Sequence, residues 1–244
     1  MSGLCKKARL FAVVPAAGVG RRMAANQPKQ YLELAGVPVL QHSLQALLHE
    51  ARIERIIVAL KEGDRLAETI SLLNNKRVIR VAGGAERVDS VLAGLRALTA
   101  VAKDNDWVLV HDAARPCLGA ADLDRLIEHV LSSGTGAILA QPVIDTLKQA
   151  DSEGCVQATV DRRCFWRAQT PQMFLLGPLR EALERALTAG VSVTDEAMAM
   201  EYSDHRVELV RGSASNLKIT RPEDLPLAAF YLSQQLVTAS VLQA

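Results

Sequence analysis

The sequence has no apolar run approaching the roughly 20 residues that a membrane span requires, and this excludes a helical membrane anchor. It has four cysteines, Cys5, Cys117, Cys155 and Cys164. None forms a CxxC pair or shows zinc-ligand spacing, and none is given a catalytic role. Isolated thiols of this kind suit a reducing compartment, and a cytoplasmic location is expected. The basic start, Lys6, Lys7 and Arg9 before Leu10 to Val14, briefly imitates a signal peptide, but Pro15 cuts the apolar run too early for one. There is also little net charge. With 28 Lys and Arg against 27 Asp and Glu, the formal charge is +1, which gives no reason to expect nucleic acid or an acidic membrane surface as partner. Any basic site must be local. No linker, internal repeat or low-complexity segment divides the 244 residues, a length that one large α/β domain can fill. The expectation is therefore a single domain over residues 1–244.

Two familiar glycine motifs are missing as well. Phe11 to Val14 is a short buried-strand pattern ended by Pro15, followed by Ala16-Ala17-Gly18-Val19-Gly20-Arg21-Arg22-Met23. The dinucleotide fingerprint would need glycine where Met23 stands, and the kinase-type phosphate loop would need Lys-Ser/Thr where Arg21 and Arg22 stand. What remains is a bare loop with no large side chain from Ala16 to Gly20. Its backbone N–H groups are open to close approach by an anion. Arg21 and Arg22 follow at once, and Lys29 comes after Pro28. A strand, a bare loop and three cations call for a polyphosphate; the bland alternative is a strand-to-helix turn with solvated arginines.

Further along, strand and helix patterns alternate. Strands are expected at Arg55–Leu60, Arg77–Val81, Trp107–Val110, Gly136–Val143 and Phe165–Phe174, with short ones at Val207–Val210 and Asn216–Ile219. Helices are expected at Val39–His49, Asp64–Leu73, after Gly83-Gly84 to about Thr99, Ala121–Leu131, Leu175–Ala189, and from Thr194-Asp195-Glu196-Ala197. Thr220 to Glu223 has the spacing of a capping box before a last helix. Such alternation implies one doubly wound, mostly parallel sheet. Gly83-Gly84 reads either as an ordinary turn or, with the helix N-terminus behind it, as a second wall for a nucleotide. Asp112 follows the Trp107–Val110 strand and either caps a turn or holds a divalent cation beside phosphates. His111 reads as a packed structural histidine. Residues 143–165 break the alternation. Their polar pattern around Asp151 to Gly154 reads as a hairpin, either a solvated flap or an arm reaching a second subunit.

Pro15 to Met23, Pro28-Lys29-Gln30-Tyr31 and His111-Asp112-Ala113-Ala114-Arg115-Pro116 together resemble the sugar nucleotidyltransferases. More narrowly they resemble the methylerythritol phosphate cytidylyltransferases of the non-mevalonate isoprenoid pathway. The resemblance runs from Ala12 to Tyr231. It implies a Rossmann-like nucleotidyltransferase fold with the inserted β-arm serving dimerisation, and transfer of CMP from CTP to methylerythritol phosphate with release of pyrophosphate. By the same resemblance Pro15, Ala16, Ala17, Gly18, Gly20, Gly84, Ala85, Ser90 and Ala113 line the nucleotide. Asp112 binds Mg²⁺, and Asp112, Arg115, Thr146, Arg162, Thr194 and Lys218 hold the acceptor. The homodimer would share its active sites, with Arg162 donated by the partner's arm. Many members carry an acidic residue where this chain has Ala85, a contact expected to run through the backbone.

The implied chemistry agrees with the residues. The acceptor phosphate, with a second pKa of about 6, is mostly dianionic at neutral pH, so no general base is needed, and no Ser-His or Cys-His pairing stands out. Anion attacking anion requires positive charge, which Arg22, Lys29, Arg162 and Lys218 would supply as the catalytic set. A sister cytidylyltransferase acting on another sugar or polyol phosphate, such as ribitol 5-phosphate, would share the nucleotide half. The Thr159-Val160-Asp161-Arg162 run argues against it. Met23 opposes a dinucleotide oxidoreductase, and Arg22, Lys29 and Asp112 together oppose a non-catalytic nucleotide-binding regulator.

Overall fold

β1 (Leu10–Pro15) is apolar throughout because both of its faces are covered. The computed structural model describes residues 8–18 and 27–241, with side chains through 235. It places Leu10, Ala12 and Val14 in one core and Phe11 and Val13 in another. A strand between two helical layers has no solvated face and so no reason to alternate polar with apolar residues. Gly20, Arg22 and Cys5 lie outside the described residues.

After β1 come a small hairpin of β2 (Glu33–Leu34) and β3 (Val37–Pro38), then α1 (Val39–His49), β4 (Ile53–Leu60), β5 (Val78–Ala82), α2 (Arg87–Leu98) and β6 (Trp107–Val110). The second half holds α3 (Ala120–Ser133), β7 (Ala137–Pro142), the pair β8 (Leu147–Ala150) and β9 (Val156–Val160), β10 (Trp166–Leu175), α4 (Leu176–Thr188), α5 (Glu196–Tyr202), β11 (Glu208–Arg211) and α6 (Asp224–Val241). The main sheet has seven strands in the order β11-β7-β10-β6-β1-β4-β5. Only β10 runs antiparallel to its neighbours, β6 and β7; the other pairings are parallel. This is the doubly wound, mostly parallel sheet that the alternation predicts. Leu40, Leu44 and Leu47 of α1 and Leu123, Leu126, Ile127 and Val130 of α3 close one face. Apolar residues of α2, α4 and α5 close the other. Gly94 lets α2 lie directly on β1: a Cβ there would meet Val13 Cγ1 at 2.5 Å.

The chain builds outward from β1 through β4 to β5, then crosses back to place β6 on the other side of β1. β1 and β6 thus form a topological switch point, where loops leaving the strands' carboxyl ends diverge and open a crevice. The glycine loop leaves β1 there, and Asp112 follows β6.

Three expectations need correction. The helix expected over Asp64–Leu73 is two short 3₁₀ turns, Arg65–Thr69 and Ser71–Asn74. Ile70 is extended between them, with ψ 98°, and so breaks any continuous i→i−4 ladder. No strand forms at Asn216–Ile219. That segment is an irregular loop held by single bonds, such as Ile219 N–H to Ala114 O at 2.8 Å. The last helix is capped one residue later than the Thr220–Glu223 spacing implies. Asp224 Oδ2 accepts from the N–H groups of Thr220 and Arg221 at 2.7 and 2.8 Å, while Glu223 points outward. Residues 143–165 do contain a hairpin. β8 pairs antiparallel with β9 in a sheet of its own, and Ile144 and Val156 on this arm are 71% and 63% exposed.

Candidate active site

A cleft of about 350 Å³ opens at the switch point. Pro15 to Gly18 form one wall, Asp112 to Ala114 another, and Ala85, Glu86, Arg87 and Ser90 at the start of α2 a third; Lys29, Gln30 and Lys218 complete it. Two walls touch because residue 83 has no side chain. A Cβ at Gly83 would sit 2.6 Å from Ala17 Cβ and 2.8 Å from Ser90 Oγ. The Ser90 hydroxyl is buried and engaged within the turn: it accepts from Gly84 N–H at 3.1 Å and faces the Glu86 carbonyl at 3.3 Å. Glu86 and Asp89 cap α2 reciprocally.

Asp112 is the electrostatic centre. Its Oδ1 accepts from Arg87 Nε at 2.8 Å, and its Oδ2 lies 2.7 Å from Lys218 Nζ and 3.8 Å from Arg115 Nε. Burial opposes the charge, but Arg87, Lys218 and Arg115 outweigh it and hold the carboxyl well below the usual carboxylate range. Arg87 also grips Glu196, at the start of α5, through both terminal nitrogens at 2.7 and 2.9 Å. Glu196 is fully buried. Burial works against the Arg87 guanidinium, yet Glu196 and Asp112 raise its pKa well above the ordinary value. With Lys29 and Glu86 of the cleft wall included, four cations face three carboxylates here. The surplus positive charge beside a bare loop is a site for an anion.

The irregular 213–219 loop carries Lys218, and other parts of the site fix it. Arg115 Nη1 donates to Asn216 O at 2.6 Å and Nη2 to Ala168 O at 3.3 Å, while Asn216 Nδ2 donates to Thr170 O at 2.8 Å. Lys29 Nζ donates to Ile219 O at 3.2 Å, which sets it beside Lys218. Beneath, the fully buried His111 makes two hydrogen bonds. Its Nε2 faces Arg115 O at 3.1 Å and its Nδ1 faces Thr170 Oγ1 at 3.0 Å. The carbonyl assigns the proton to Nε2, so Nδ1 accepts from the hydroxyl. Thr170 Oγ1 in turn accepts from Asp112 N–H at 3.0 Å, which steadies the turn. Burial pushes the His111 pKa down to about 4.

Of the residues expected at the site, Pro15, Ala16, Ala17, Gly18, Lys29, Ala85, Ser90, Asp112, Ala113 and Lys218 line this one cleft. Gly84 lies in the turn behind it, and Arg115 is buried under Asp112. Thr146, Arg162 and Thr194 are exposed and do not line the cleft. Arg162 Nη1 donates to Ile144 O within the arm, and Thr194 packs against Met198 Sδ. Sequence reasoning missed Gln30, Arg87, Thr170 and Glu196 as parts of the site. Glu196 reads locally as an ordinary first-turn acid, and only the fold brings it to Arg87. Among the described residues there is no cluster of three or more His, Cys, Asp or Glu that could hold a metal unaided, and no helix is long and apolar enough to cross a membrane.

Residues 10–234 match the family model described as 2-C-methyl-D-erythritol 4-phosphate cytidylyltransferase. The chain belongs to this family. A relative of that name from Vibrio vulnificus (strain CMCP6) is 50% identical over 226 residues, covering 93% of this chain and 95% of the relative. One from Vibrio parahaemolyticus serotype O3:K6 is 52% identical over 225 residues, covering 92% and 96%. A crystal structure of 4-diphosphocytidyl-2C-methyl-D-erythritol synthase superposes with a TM-score of 0.79 at 38% identity, covering 93% of this chain and 99% of that one. The cytidylyltransferase structure from Thermus thermophilus gives 0.74 at 32%, covering 91% and 97%. The residues matched by the family model include every residue that lines the cleft.

Proposed function

We propose that this cleft transfers CMP from CTP to 2-C-methyl-D-erythritol 4-phosphate, a step of isoprenoid precursor synthesis. An oxygen of the acceptor phosphate forms a bond to the α-phosphorus of CTP. The bond from that phosphorus to the bridging oxygen breaks, and pyrophosphate leaves with the electron pair. The observation that carries this reading is the surplus of fixed cations at the switch point beside a loop without large side chains.

On this reading Pro15 to Gly18, Gly20, Gly84, Ala85, Ser90 and Ala113 hold the nucleotide. Arg22 and Lys29 neutralise charge that builds on the α-phosphate and the leaving group, and fixed charges of this kind need no reorganisation during reaction. Lys218 draws the acceptor phosphate, and Arg115 fixes the loop that presents it. Thr146, Arg162 and Thr194 complete the acceptor subsite. The exposure of Thr146 and Arg162 on a hairpin with apolar residues facing outward favours a homodimer in which each arm reaches the other subunit's cleft.

Mg²⁺ fits as a companion of the triphosphate. It is commonly held by one or two carboxylates together with substrate phosphates and water. Asp112 offers such a carboxylate: its oxygens have about four lone-pair sites, and Arg87 and Lys218 take one on each oxygen. Bound there, the ion would neutralise phosphate charge. We assign the whole chain to a single cytidylyltransferase domain with the arm inserted at about 143–165, working in the cytoplasm. The test is pyrophosphate release from CTP with methylerythritol phosphate, ribitol 5-phosphate or no acceptor. Release with methylerythritol phosphate alone supports the reading, and preference for ribitol 5-phosphate would replace the acceptor.

A further inference from the structure

The three side chains Lys29, Gln30 and Tyr31 leave one short 3₁₀ turn in three directions. Lys29 reaches Ile219 O. The Tyr31 hydroxyl donates to Asp64 Oδ2 at 2.6 Å, anchoring the turn to the segment that follows β4. Gln30 points between them, 4% exposed. Its carboxamide Nε2 donates to Ala16 O at 2.8 Å and to Gly18 O at 2.9 Å. Both N–H groups of one buried amide are thus committed to two carbonyls of the bare loop.

From this geometry we infer that Gln30 is a positioning residue for the nucleotide: it sets which polar groups of the Ala16–Gly18 loop face the phosphates. The inference rests on the reading of the cleft as a CTP site. Two physical effects carry it. Carbonyl oxygens repel phosphate oxygens, and the Gln30 amide engages and restrains two of them. The Ala16–Ala17 peptide is trans, since the only cis bond among the described residues is Thr170–Pro171. In a trans peptide the C=O and N–H point to opposite sides. Fixing the Ala16 carbonyl on Gln30 therefore turns the Ala17 N–H the other way. Ala16 N–H is already given to Ala59 O at 2.8 Å, so the loop leaves β1 at an angle fixed by β4. A loop with oriented amides and restrained carbonyls binds an anion without first reorganising.

A methionine in place of Gln30 fills the same volume, and a glutamate keeps the shape while replacing two donors by acceptors. The experiment is steady-state kinetics and calorimetric titration with Mg-CTP on the wild type, Gln30→Met and Gln30→Glu, with melting curves to establish that each is folded. Both variants should raise KM and Kd for CTP by roughly tenfold or more, with Gln30→Glu the worse. KM for methylerythritol phosphate should stay within about twofold, and kcat should fall much less than kcat/KM for CTP. CTP binding within about twofold of wild type in the folded variants would overturn the inference, as would equal weakening of both substrates. A wild type that fails to bind or turn over CTP would overturn the underlying reading instead. Should Gln30→Glu not fold, Gln30→Met carries the same decision.

Discussion

Lys218 Nζ lies 2.7 Å from Asp112 Oδ2, an ion pair between an irregular loop and the end of the strand at the sheet's centre. The same carboxylate holds Arg87 on its other oxygen. Replacing it with an amide should therefore do two things at once. Asp112→Asn keeps the shape but leaves Arg87, Arg115 and Lys218 without their shared counter-charge. It should cut turnover by on the order of 10² or more and weaken the response to Mg²⁺. A Mg²⁺ titration of rate checks this. An unchanged titration would reduce Asp112 to the cap of its turn.

On the proposed reading Arg22 and Lys29 act differently, by stabilising charge that develops only during transfer. Lys29→Ala and Arg22→Ala should each lower kcat by about 10²–10³ with melting temperature nearly unchanged. Wild-type turnover in either variant would make that residue a surface charge.

His111 gives a pH signature in stability. Its folded pKa is pushed down to about 4, against about 6.5 in the unfolded chain. Between those values the unfolded state binds a proton that the folded state refuses. The stabilisation is therefore complete above about pH 6.5 and is lost as pH falls toward about 4, by on the order of 3 kcal/mol. Asp112, whose pKa is also lowered, adds a loss of the same sign below its unfolded value of about 3.9. Urea midpoints at about pH 7.5 and about pH 5 should differ clearly in the wild type and less in His111→Gln. Equal wild-type midpoints would contradict the burial argument.

The arm makes a prediction about assembly. If Arg162 serves the partner's cleft, mixing Arg22→Ala with Arg162→Ala under subunit exchange creates one intact site per mixed dimer. With random pairing, about a quarter of wild-type activity should return. Each variant alone should be nearly inactive; no recovery on mixing, with exchange shown by mass spectrometry, would place Arg162 in its own subunit's site, and wild-type activity of Arg162→Ala alone would place it outside both.

What the sequence reveals about this molecule divides by range. β1, the bare loop and Asp112 at the end of β6 are legible because their signals are local: an apolar run, a stretch without large side chains, and a carboxylate closing a strand. The loop carrying Lys218 reads as a strand because its local pattern is partly apolar. Its actual shape is set by Arg115, Asn216 and Ala114, through contacts made across the fold. Glu196 reads as a helix-terminus acid for the same reason, since nothing adjacent to it announces Arg87. Gln30 is visible as part of Pro28–Tyr31, yet its bonds to two carbonyls exist only once the turn at Lys29–Tyr31 and the end of β1 are side by side.

Every role assigned around the cleft depends on attack at the α-phosphorus of CTP. Phosphorus NMR of CTP, methylerythritol phosphate, Mg²⁺ and the protein tests it most directly. Transfer of CMP predicts a new pair of mutually coupled diphosphate signals together with free pyrophosphate, growing in equal amounts. Formation of CDP with a newly phosphorylated acceptor, or of CMP and pyrophosphate with the acceptor untouched, would contradict it.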